Sequence, residues 1–392
     1  QHRQKEENCK LIYFDNNATT PVDKEVAEVI LKYMTELYAN PNSIHSFGVQ
    51  IEQYLEESRK TISEILQVLP TEIFFTSCAT ESINTVIRGV ARANKNIGKR
   101  IITSTIEHSA VINTLKDLER NGFDVIYINV DKTGVIDLEQ LANSINQNTI
   151  LVSLMLANNE IGTIEPINEA YNLVKKINSN TYFHIDAVQA LGKIPFNIEI
   201  YKCDFASFSA HKFHGPKGVG ILYKKRGTRM YPLLTGGTQE NAMRAGTQNV
   251  PGIIGTALAL EKAVDQLEYM KTDIKQIRNY LADNLEKIGA KILTPLENSI
   301  PNTLGFFFPN IRGDIIVNAL SEEEIFVSTT SACASKTRTE SRIMKSLGYD
   351  DTNAKGLVRI SLSHLNNLNE AEIFLNKLKN ILNFLNYWIF NV

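Results

Sequence analysis

The chain has 392 residues and a formal net charge of −2, and it is 43% hydrophobic and 21% charged. This length exceeds what one hydrophobic core usually supports, so we expect two domains in a globular protein. The near-neutral charge argues against nucleic acid or an anionic membrane as the main partner, and no apolar run approaches the ~20 residues of a membrane span.

The cysteines indicate the redox setting. Cys9, Cys78, Cys203 and Cys333 form no CxxC pair, so neither a zinc site nor a disulfide framework is indicated. A reducing compartment, the cytoplasm, is the simplest expectation. The first ten residues, QHRQKEENCK, contain no apolar segment and do not resemble a secretory signal. They also lack a starting Met, so an organellar location after processing is the alternative.

Short β-rich apolar runs alternate with helical patterns through the first two thirds of the chain. Helices are expected from Glu81 and from near Ser109. The predicted strands are 72–77, 100–105, 124–130, 149–156, 182–188, 205–210 and 218–224. This alternation predicts an α/β fold, with a mostly parallel sheet covered by helices on both faces. Ligands bind beyond the carboxyl ends of the strands in such sheets.

The last third has a different pattern. Residues 250–285 predict a helix that links two domains, and the runs NTLGFFFP, EIFVSTT and GLVRISLS predict strands of a smaller α+β unit. The N-terminal stretch IYFDNNATTP is expected to pack on this unit or on the active site.

Polar clusters follow the strands of the first part, and one of them, SFSAHKFHGPKG, contains Lys212. A lysine at a strand end can form a Schiff base with an aldehyde cofactor, although most lysines are simply solvated at the surface. His211 and His214 have the HxxH spacing of metal ligands, but no third Cys, Asp or Glu stands near them. We therefore expect no metal site there.

Other strand ends carry side chains that an aldehyde cofactor would need. Asp186 could keep a pyridine nitrogen protonated, or it could cap a helix. Thr80 and the backbone of Ala79 stand at a strand-to-helix turn, where N–H groups bind phosphate; a plain capping box is the alternative. His108 could stack on a ring or transfer protons, or it could make a structural hydrogen bond.

The stretch VSTTSACASKTR places Cys333 among small polar residues, which are typical of an exposed loop. Buried cysteine is the more common case, so an exposed thiol indicates a reactive role.

Read together, several stretches resemble the cysteine desulfurases, which are pyridoxal-phosphate enzymes of the class V aminotransferase group with the type I aminotransferase fold. The similarity runs in order from about Ile12 to about Asn380. It is carried by FDNNATTP, FFTSCATESIN, EHSAV, ANNEIGTIEP, HIDAVQALGKIP, SFSAHKFHGPKGVG, GGTQENAMRAGTQNV and SACAS. The SAC form on a longer loop resembles the branch that serves nitrogenase and general iron–sulfur cluster assembly.

The sequence patterns and the resemblance together predict three parts of the chain. These are an N-terminal segment over residues 1–20, a large cofactor-binding domain over 21–260 and a small C-terminal domain over 261–392 that carries the Cys333 loop.

The resemblance also implies roles for residues that would contact pyridoxal phosphate. Lys212 matches the lysine that bonds to the cofactor, Asp186 the partner of the pyridinium, and Gln189 the donor to the phenolate oxygen. His108 matches the histidine over the ring.

The phosphate has its own set of implied ligands. Thr80, Ser209 and His211 match phosphate ligands, with Ala79 contributing its backbone. Thr247 matches the threonine that reaches the phosphate of the other subunit, which implies a homodimer.

Asn159 and Arg359 match the groups that hold the substrate carboxylate, a role that suits the bidentate guanidinium. Cys333 matches the nucleophile that takes sulfur from L-cysteine as a persulfide, leaving alanine. Nearby Lys336 and Arg338 are expected to help lower the pKa of its thiol. The resemblance implies delivery to an iron–sulfur scaffold or another sulfur acceptor, and no metal beyond a transient contact of Cys333 with a cluster.

Two departures and two alternatives stand beside this interpretation. Cys78 replaces the Gly that many relatives carry before Ala-Thr, and Thr330 replaces a Gly in the Cys333 loop. The first change is expected to alter the phosphate pocket slightly, and the second to stiffen the loop.

The alternative functions are a lyase or aminotransferase-like enzyme of the same fold, including one that prefers selenocysteine, and a sulfur carrier without turnover. Lys212, Asp186, His108 and Cys333 together argue against the carrier.

Overall fold

The computed structural model describes residues 11–329 and 341–391, with side chains through residue 385. The strands of these residues are β1 (Ile12–Tyr13), β2 (Ile73–Thr76), β3 (Arg100–Ser104), β4 (Asp124–Ile128), β5 (Thr149–Met155), β6 (Tyr182–Asp186), β7 (Phe205–Ser209), β8 (Gly220–Lys224), β9 (Lys291–Ile292), β10 (Thr303–Phe307), β11 (Ile325–Phe326) and β12 (Val358–Ser361).

The helices are α1 (Lys24–Thr35), α2 (Ser46–Leu66), α3 (Ala79–Asn94), α4 (Ser109–Arg120), α5 (Leu138–Ser144), α6 (Ile167–Ile177), α7 (Val250–Asp265), α8 (Leu267–Tyr269), α9 (Lys275–Lys287), α10 (Gly313–Glu322), α11 (Arg342–Ser346) and α12 (Leu368–Asn391). Among them, none combines the length and the apolar composition that crossing a membrane requires.

The predicted α/β class with a mostly parallel mixed sheet is confirmed. Seven strands form one sheet in the order β2-β8-β7-β6-β5-β3-β4. The pairs from β7 through β4 are parallel, whereas β8 runs antiparallel to both β2 and β7. Every residue of β5 is buried, as expected for a parallel strand covered on both faces.

The described chain divides into two compact units. The seven-strand unit contains residues 19–158 and 164–268, and the C-terminal unit contains 11–18, 159–163 and the described residues from 269 onward. In the seven-strand unit, neighbouring residues of a strand pack into two separate apolar clusters; Phe75 and Ile102 belong to one, and Phe74 and Ile101 to the other. This alternation is the period of two expected for a sheet with helices on both faces.

In the C-terminal unit, β12, β10 and β9 form an antiparallel sheet, and β1 pairs in parallel with β11. Its core includes Phe14, Phe306 and Phe374. The helix predicted over 250–285 is interrupted: α7 ends at Asp265, and a π-helical stretch, Met270–Ile274, precedes α9. The apolar pattern continues through this stretch, with Met270 and Ile274 both buried, which is why the sequence predicted one helix.

Candidate active site

Four of the site residues predicted for the seven-strand unit lie at or shortly after the carboxyl ends of its strands. Asp186 and Ser209 are the last residues of β6 and β7, and Lys212 ends the 3₁₀ helix Ala210–Lys212 that follows β7 directly. His108 is the N-cap residue of α4, just after β3. The strands β3, β5, β6 and β7 are neighbours in the sheet and run parallel to one another. Their carboxyl ends therefore lie at the same end of the sheet.

Asp186 is a buried carboxyl group with a nearby cation. Burial raises the pKa of Asp186 to about 6, and the Val188 N–H and the positive charge of Lys212 act in the opposite direction. Its Oδ1 accepts from Val188 N at 3.1 Å. The segment between β6 and β7 contains turns and no α-helix, so Asp186 does not cap a helix.

Gln189 and Lys193 lie on these turns, and both are buried. The Lys193 ammonium donates to Oε1 of Gln189. An ammonium has only donors, so this contact fixes the amide oxygen and directs the NH₂ of Gln189 to the other side.

A helix N-terminus stands where the sequence predicted a phosphate turn. Helix α3 begins at Ala79, three residues after the end of β2 and one before Thr80, and no side chain caps it from the N-cap residue Cys78. Its N–H groups and its dipole therefore favour an anion. The capping-box alternative is met only in part: Glu81 accepts from Ser77 N at 2.9 Å.

Cys78 fits this turn without strain. Its φ of −174° and ψ of 169° are extended values, which any residue adopts, so a glycine is not required there. The close approach comes from Gly220 of β8, where a Cβ would lie 2.4 Å from Thr76 Oγ1 and 2.5 Å from the carbonyl carbon of Cys78. The expectation that Cys78 slightly alters the phosphate pocket stays a prediction.

His211 and His214 have partners on the segment before α1. His211 Nδ1 lies 3.1 Å from Thr19 Oγ1, and His214 Nδ1 lies 3.0 Å from the Pro21 carbonyl oxygen. Burial, followed by the positive charges of Lys212, Lys217 and Lys193, lowers the pKa of His211 to about 4. Three cations around a neutral imidazole form an environment that favours an anionic ligand.

His108 makes the structural hydrogen bond that was the alternative to a catalytic role. Its Nδ1 accepts from Ala110 N at 3.1 Å. In the neutral ring the proton then resides on Nε2, so the cap also fixes the tautomer that His108 offers to a ligand.

Thr247 follows an unusual loop. Glu240, Asn241 and Ala242 have φ values of 48°, 52° and 60°, which are left-handed and costly for non-glycine residues. Thr247 lines a cavity of about 110 Å³ together with Ser77 of the phosphate turn.

The C-terminal unit contains the two residues predicted to bind a carboxylate, Arg359 and Asn159. Arg359 lies on β12 and is 1% exposed. Its Nη1 donates to the Asn159 carbonyl oxygen at 3.0 Å, and its Nη2 lies 2.6 Å from Oδ1 of Asp15. In the described chain its buried Nε has no hydrogen-bond partner.

The same cluster anchors both flanks of the segment that contains Cys333. Ser328 N donates to the Arg359 carbonyl oxygen at 3.1 Å, and Ser341 Oγ donates to Oε2 of Glu160 at 3.1 Å. Cys333 itself, with Lys336, Arg338 and Thr330, lies outside the described residues.

Several polar residues of these clusters were not predicted from the sequence. Asp15, Glu81 and Arg244 lie in stretches where no role was assigned to these side chains, and Lys193 follows Gln189 by four positions. His184, two residues before Asp186, is fully buried between Ser153 Oγ at 2.8 Å and Ser207 Oγ at 2.9 Å. Its place in the apolar run YFHIDAV was the available signal, because a buried polar group needs partners.

The chain is similar to a known protein family, to named relatives and to solved structures. The model of the aminotransferase class-V family matches residues 12–374. A protein of Methanosarcina thermophila named cysteine desulfurase IscS is 42% identical over 365 residues, which are 93% of this chain and 90% of that protein. A solved NifS-like protein matches with a TM-score of 0.91 and 47% identity over 96% of this chain and 100% of that one. The structure of SspA in complex with cysteine matches with a TM-score of 0.78 and 31% identity, covering 90% of this chain and 98% of that one.

Proposed function

The chain belongs to the aminotransferase class-V family, and we propose that it is a cysteine desulfurase that uses pyridoxal phosphate to convert L-cysteine to alanine. The observation that carries the proposal is the pairing of an amine and a carboxyl group at the carboxyl ends of β6 and β7, where the positive charge of Lys212 lowers the pKa of the buried Asp186. A solvated surface lysine would have no such partner.

The residues present fit pyridoxal phosphate. The uncapped N-terminus of α3 suits a phosphate. Gly220 packs closely against the turn before that helix, so no side chain fits at position 220. Asp186 suits a cationic ring nitrogen, since a positive charge opposite it would offset the effect of burial on its pKa.

When bound, pyridoxal phosphate supplies an aldehyde for the amino group of the substrate and a ring that takes up electrons from its α-carbon. Lys212 Nζ would hold the cofactor aldehyde before substrate arrives and, as a free amine, would take the α-proton of the substrate. Asp186 would keep the ring nitrogen protonated, and Gln189 would donate its NH₂ to the phenolate oxygen. His108 would offer its Nε2–H to the cofactor ring.

Arg359 and Asn159 hold the substrate carboxylate, and Cys333 takes the sulfur. The Cys333 thiolate attacks the substrate sulfur, an S–S bond forms, and the C–S bond breaks with its electron pair passing to the β-carbon, which takes up a proton. The products are alanine and a persulfide on Cys333. This role of Cys333 is supported by the two residues that flank its segment. Ser328 is hydrogen-bonded to Arg359, and Ser341 is hydrogen-bonded to Glu160.

We also propose a homodimer in which Thr247 reaches the phosphate of the partner subunit, and a scaffold or other protein that accepts the sulfur. Thr247→Ala is expected to weaken cofactor binding by about 1–3 kcal/mol, as for loss of a hydrogen bond to a charged group. A monomer with full activity at the assay concentration would contradict this arrangement.

The experiment that tests the function is incubation with L-cysteine, with alanine and sulfide measured together. Lys212→Ala should abolish turnover, whereas Lys202→Ala, which changes an exposed lysine before β7, should retain it. Release of sulfide by Lys212→Ala at the parental rate would contradict the role of Lys212.

A second measurement addresses the thiol. After a short pulse of L-cysteine without reductant, mass spectrometry should find one added sulfur on the peptide that contains Cys333. Cys333→Ser should bind cofactor and L-cysteine but form no persulfide, and Cys78→Ser should behave like the parent. Undiminished alanine formation by Cys333→Ser, or persulfide only on Cys9, Cys78 or Cys203, would contradict the mechanism. Selenocysteine is a separate substrate control.

A further inference from the structure

The guanidinium of Arg359 already holds a carboxylate of the chain itself. Asp15 Oδ1 lies 2.6 Å from Nη2, and the Asn159 carbonyl oxygen occupies Nη1. Asp15 belongs to the stretch FDNNATTP, and β1 and the pairing of Asp15 with Ser361 hold its backbone beside β12. Arg359 is thus neutralised within its own unit.

The two partners differ in their access to water. The Arg359 side chain is 2% exposed, whereas the Asp15 side chain is 20% exposed. Backbone hydrogen bonds to Ser328 on one side and the register with Gly305 on the other fix the strand that carries Arg359. If the pair opens, Asp15 can turn toward solvent, and Arg359 cannot.

The guanidinium also has an unused donor. Nε of Arg359 is buried and has no hydrogen-bond partner among the described residues. Leaving such a donor unsatisfied is costly. A carboxylate that binds Nε and Nη2 together in a fork would satisfy Nε. It would also bring a second negative charge beside Asp15, which lies 2.6 Å from the same Nη2. Since like charges at that separation repel, the two carboxylates compete for the guanidinium.

We infer that Asp15 is an internal competitor for Arg359: it holds Nη2 in the resting enzyme, yields it to the carboxylate of the substrate, and retakes it as the alanine product leaves. This inference rests on the proposed function, since it assumes that Arg359 binds the substrate carboxylate. Asp15 weakens the affinity for every ligand with that carboxylate and promotes release of the product. It has no effect on a ligand that lacks the carboxylate.

The test is the equilibrium binding of L-alanine to the cofactor-loaded protein, followed by calorimetry or by cofactor absorbance. Asp15→Asn should bind L-alanine about tenfold tighter than the parent does, because the competing charge is gone. Alaninamide, which lacks the carboxylate, should bind both proteins equally. Asp314→Asn, which breaks the exposed ion pair with Arg312 in the same unit, should bind L-alanine like the parent.

Thermal unfolding gives an independent readout. Asp15→Asn leaves a buried guanidinium without its counter-ion, so its Tm should fall without ligand, and L-alanine should raise it more than it raises the Tm of the parent. Equal or weaker binding of L-alanine by Asp15→Asn would overturn the inference, because Asp15 would then only orient Arg359.

A measurement on the parent protein does not depend on whether the variant folds. In a structure of its L-alanine complex, the ligand carboxylate should occupy Nε and Nη2 of Arg359, with Asp15 turned away; Asp15 still at Nη2 would overturn the inference. If the parent turns over L-cysteine but fails these tests, only the role of Asp15 is wrong. If the parent neither binds L-alanine nor releases sulfide, the proposed function is contradicted and this inference with it.

Discussion

Arg244 and Glu81 form an ion pair at the N-terminus of α3, with Arg244 Nε 2.9 Å from Glu81 Oε1. The other carboxylate oxygen of Glu81 accepts from Ser77 N. Burial raises the pKa of Glu81, but the hydrogen bonds from Arg244 and Ser77 outweigh it and leave that pKa below its usual value. A carboxylate thus remains ionised in the first turn of the helix that we propose binds a phosphate, with Arg244 as its counter-ion.

Arg244→Gln is expected to weaken the binding of pyridoxal phosphate roughly tenfold, about 1.4 kcal/mol. The substitution removes a cation and leaves the Glu81 carboxylate unpaired beside the phosphate. The measurement is equilibrium dialysis of the cofactor against cofactor-free protein, with inorganic phosphate as competitor.

The matched controls are Glu81→Gln and the double variant. Glu81→Gln should bind the cofactor at least as well as the parent, and Glu81→Gln with Arg244→Gln should recover part of the lost affinity. A double variant no better than Arg244→Gln alone would show that Arg244 acts without Glu81.

The sequence was sufficient to predict the seven strands of the large sheet and the polar residues that follow them, because both depend on local patterns. The run TILVSLML, for example, became β5, fully buried as an apolar strand of its length should be. Asp186 and Ser209 end their strands because polar residues follow the apolar runs directly.

Side-chain pairs between distant residues could not be predicted in this way. Glu81 and Arg244 are 163 positions apart, and Asp15 and Arg359 are 344 apart. Each residue alone fits a solvated surface, so only tertiary structure shows the pair. The packing of Gly220 against the Cys78 turn is another contact between residues distant in sequence.

A second ion pair ties the loop before Thr247 to α2. Arg59 Nη1 and Nη2 each lie 2.8 Å from a carboxylate oxygen of Glu240, and Phe75 N donates to the same carboxylate. Both side chains are buried. Arg59→Met is expected to destabilise the protein by about 3–5 kcal/mol in chemical denaturation, because it leaves a buried carboxylate without a counter-ion.

The double variant Arg59→Met with Glu240→Met separates the charge effect from packing. It should be markedly more stable than Arg59→Met alone, since no unpaired charge remains. If both variants lose the same stability, the cost comes from the shape of the loop around the left-handed residues 240–242 and not from the ion pair.

The contact from Lys193 to Gln189 gives a prediction about the cofactor itself. Lys193→Met removes the ammonium that orients the Gln189 amide, so the proposed donor to the phenolate oxygen is misplaced in part of the molecules. The pKa seen in an absorbance titration of the bound cofactor should then rise by about one unit. Lys193→Arg should restore most of the parental value, because a guanidinium also only donates. An unchanged titration in Lys193→Met would contradict the proposed orientation of Gln189.

Asp186 gives a stability prediction whose sign follows from its environment. In the cofactor-free protein the pKa of Asp186 is raised by burial from its ordinary value of 3.8 to about 6. The folded state then binds the proton more tightly than the unfolded chain does, so the contribution of this group to stability is full below about pH 4 and is lost as the pH rises through about 6. The loss is about 3 kcal/mol.

Asp186→Asn cannot ionise, so its free energy of unfolding should lack this fall, and the difference between variant and parent should grow over that pH window. Saturation with pyridoxal phosphate should reduce the fall in the parent, because a ring cation opposite the carboxylate lowers the folded pKa. Urea denaturation at pH 4, 5, 6 and 7, with and without cofactor, measures both effects, and parallel curves for parent and variant would show that Asp186 does not titrate in this range.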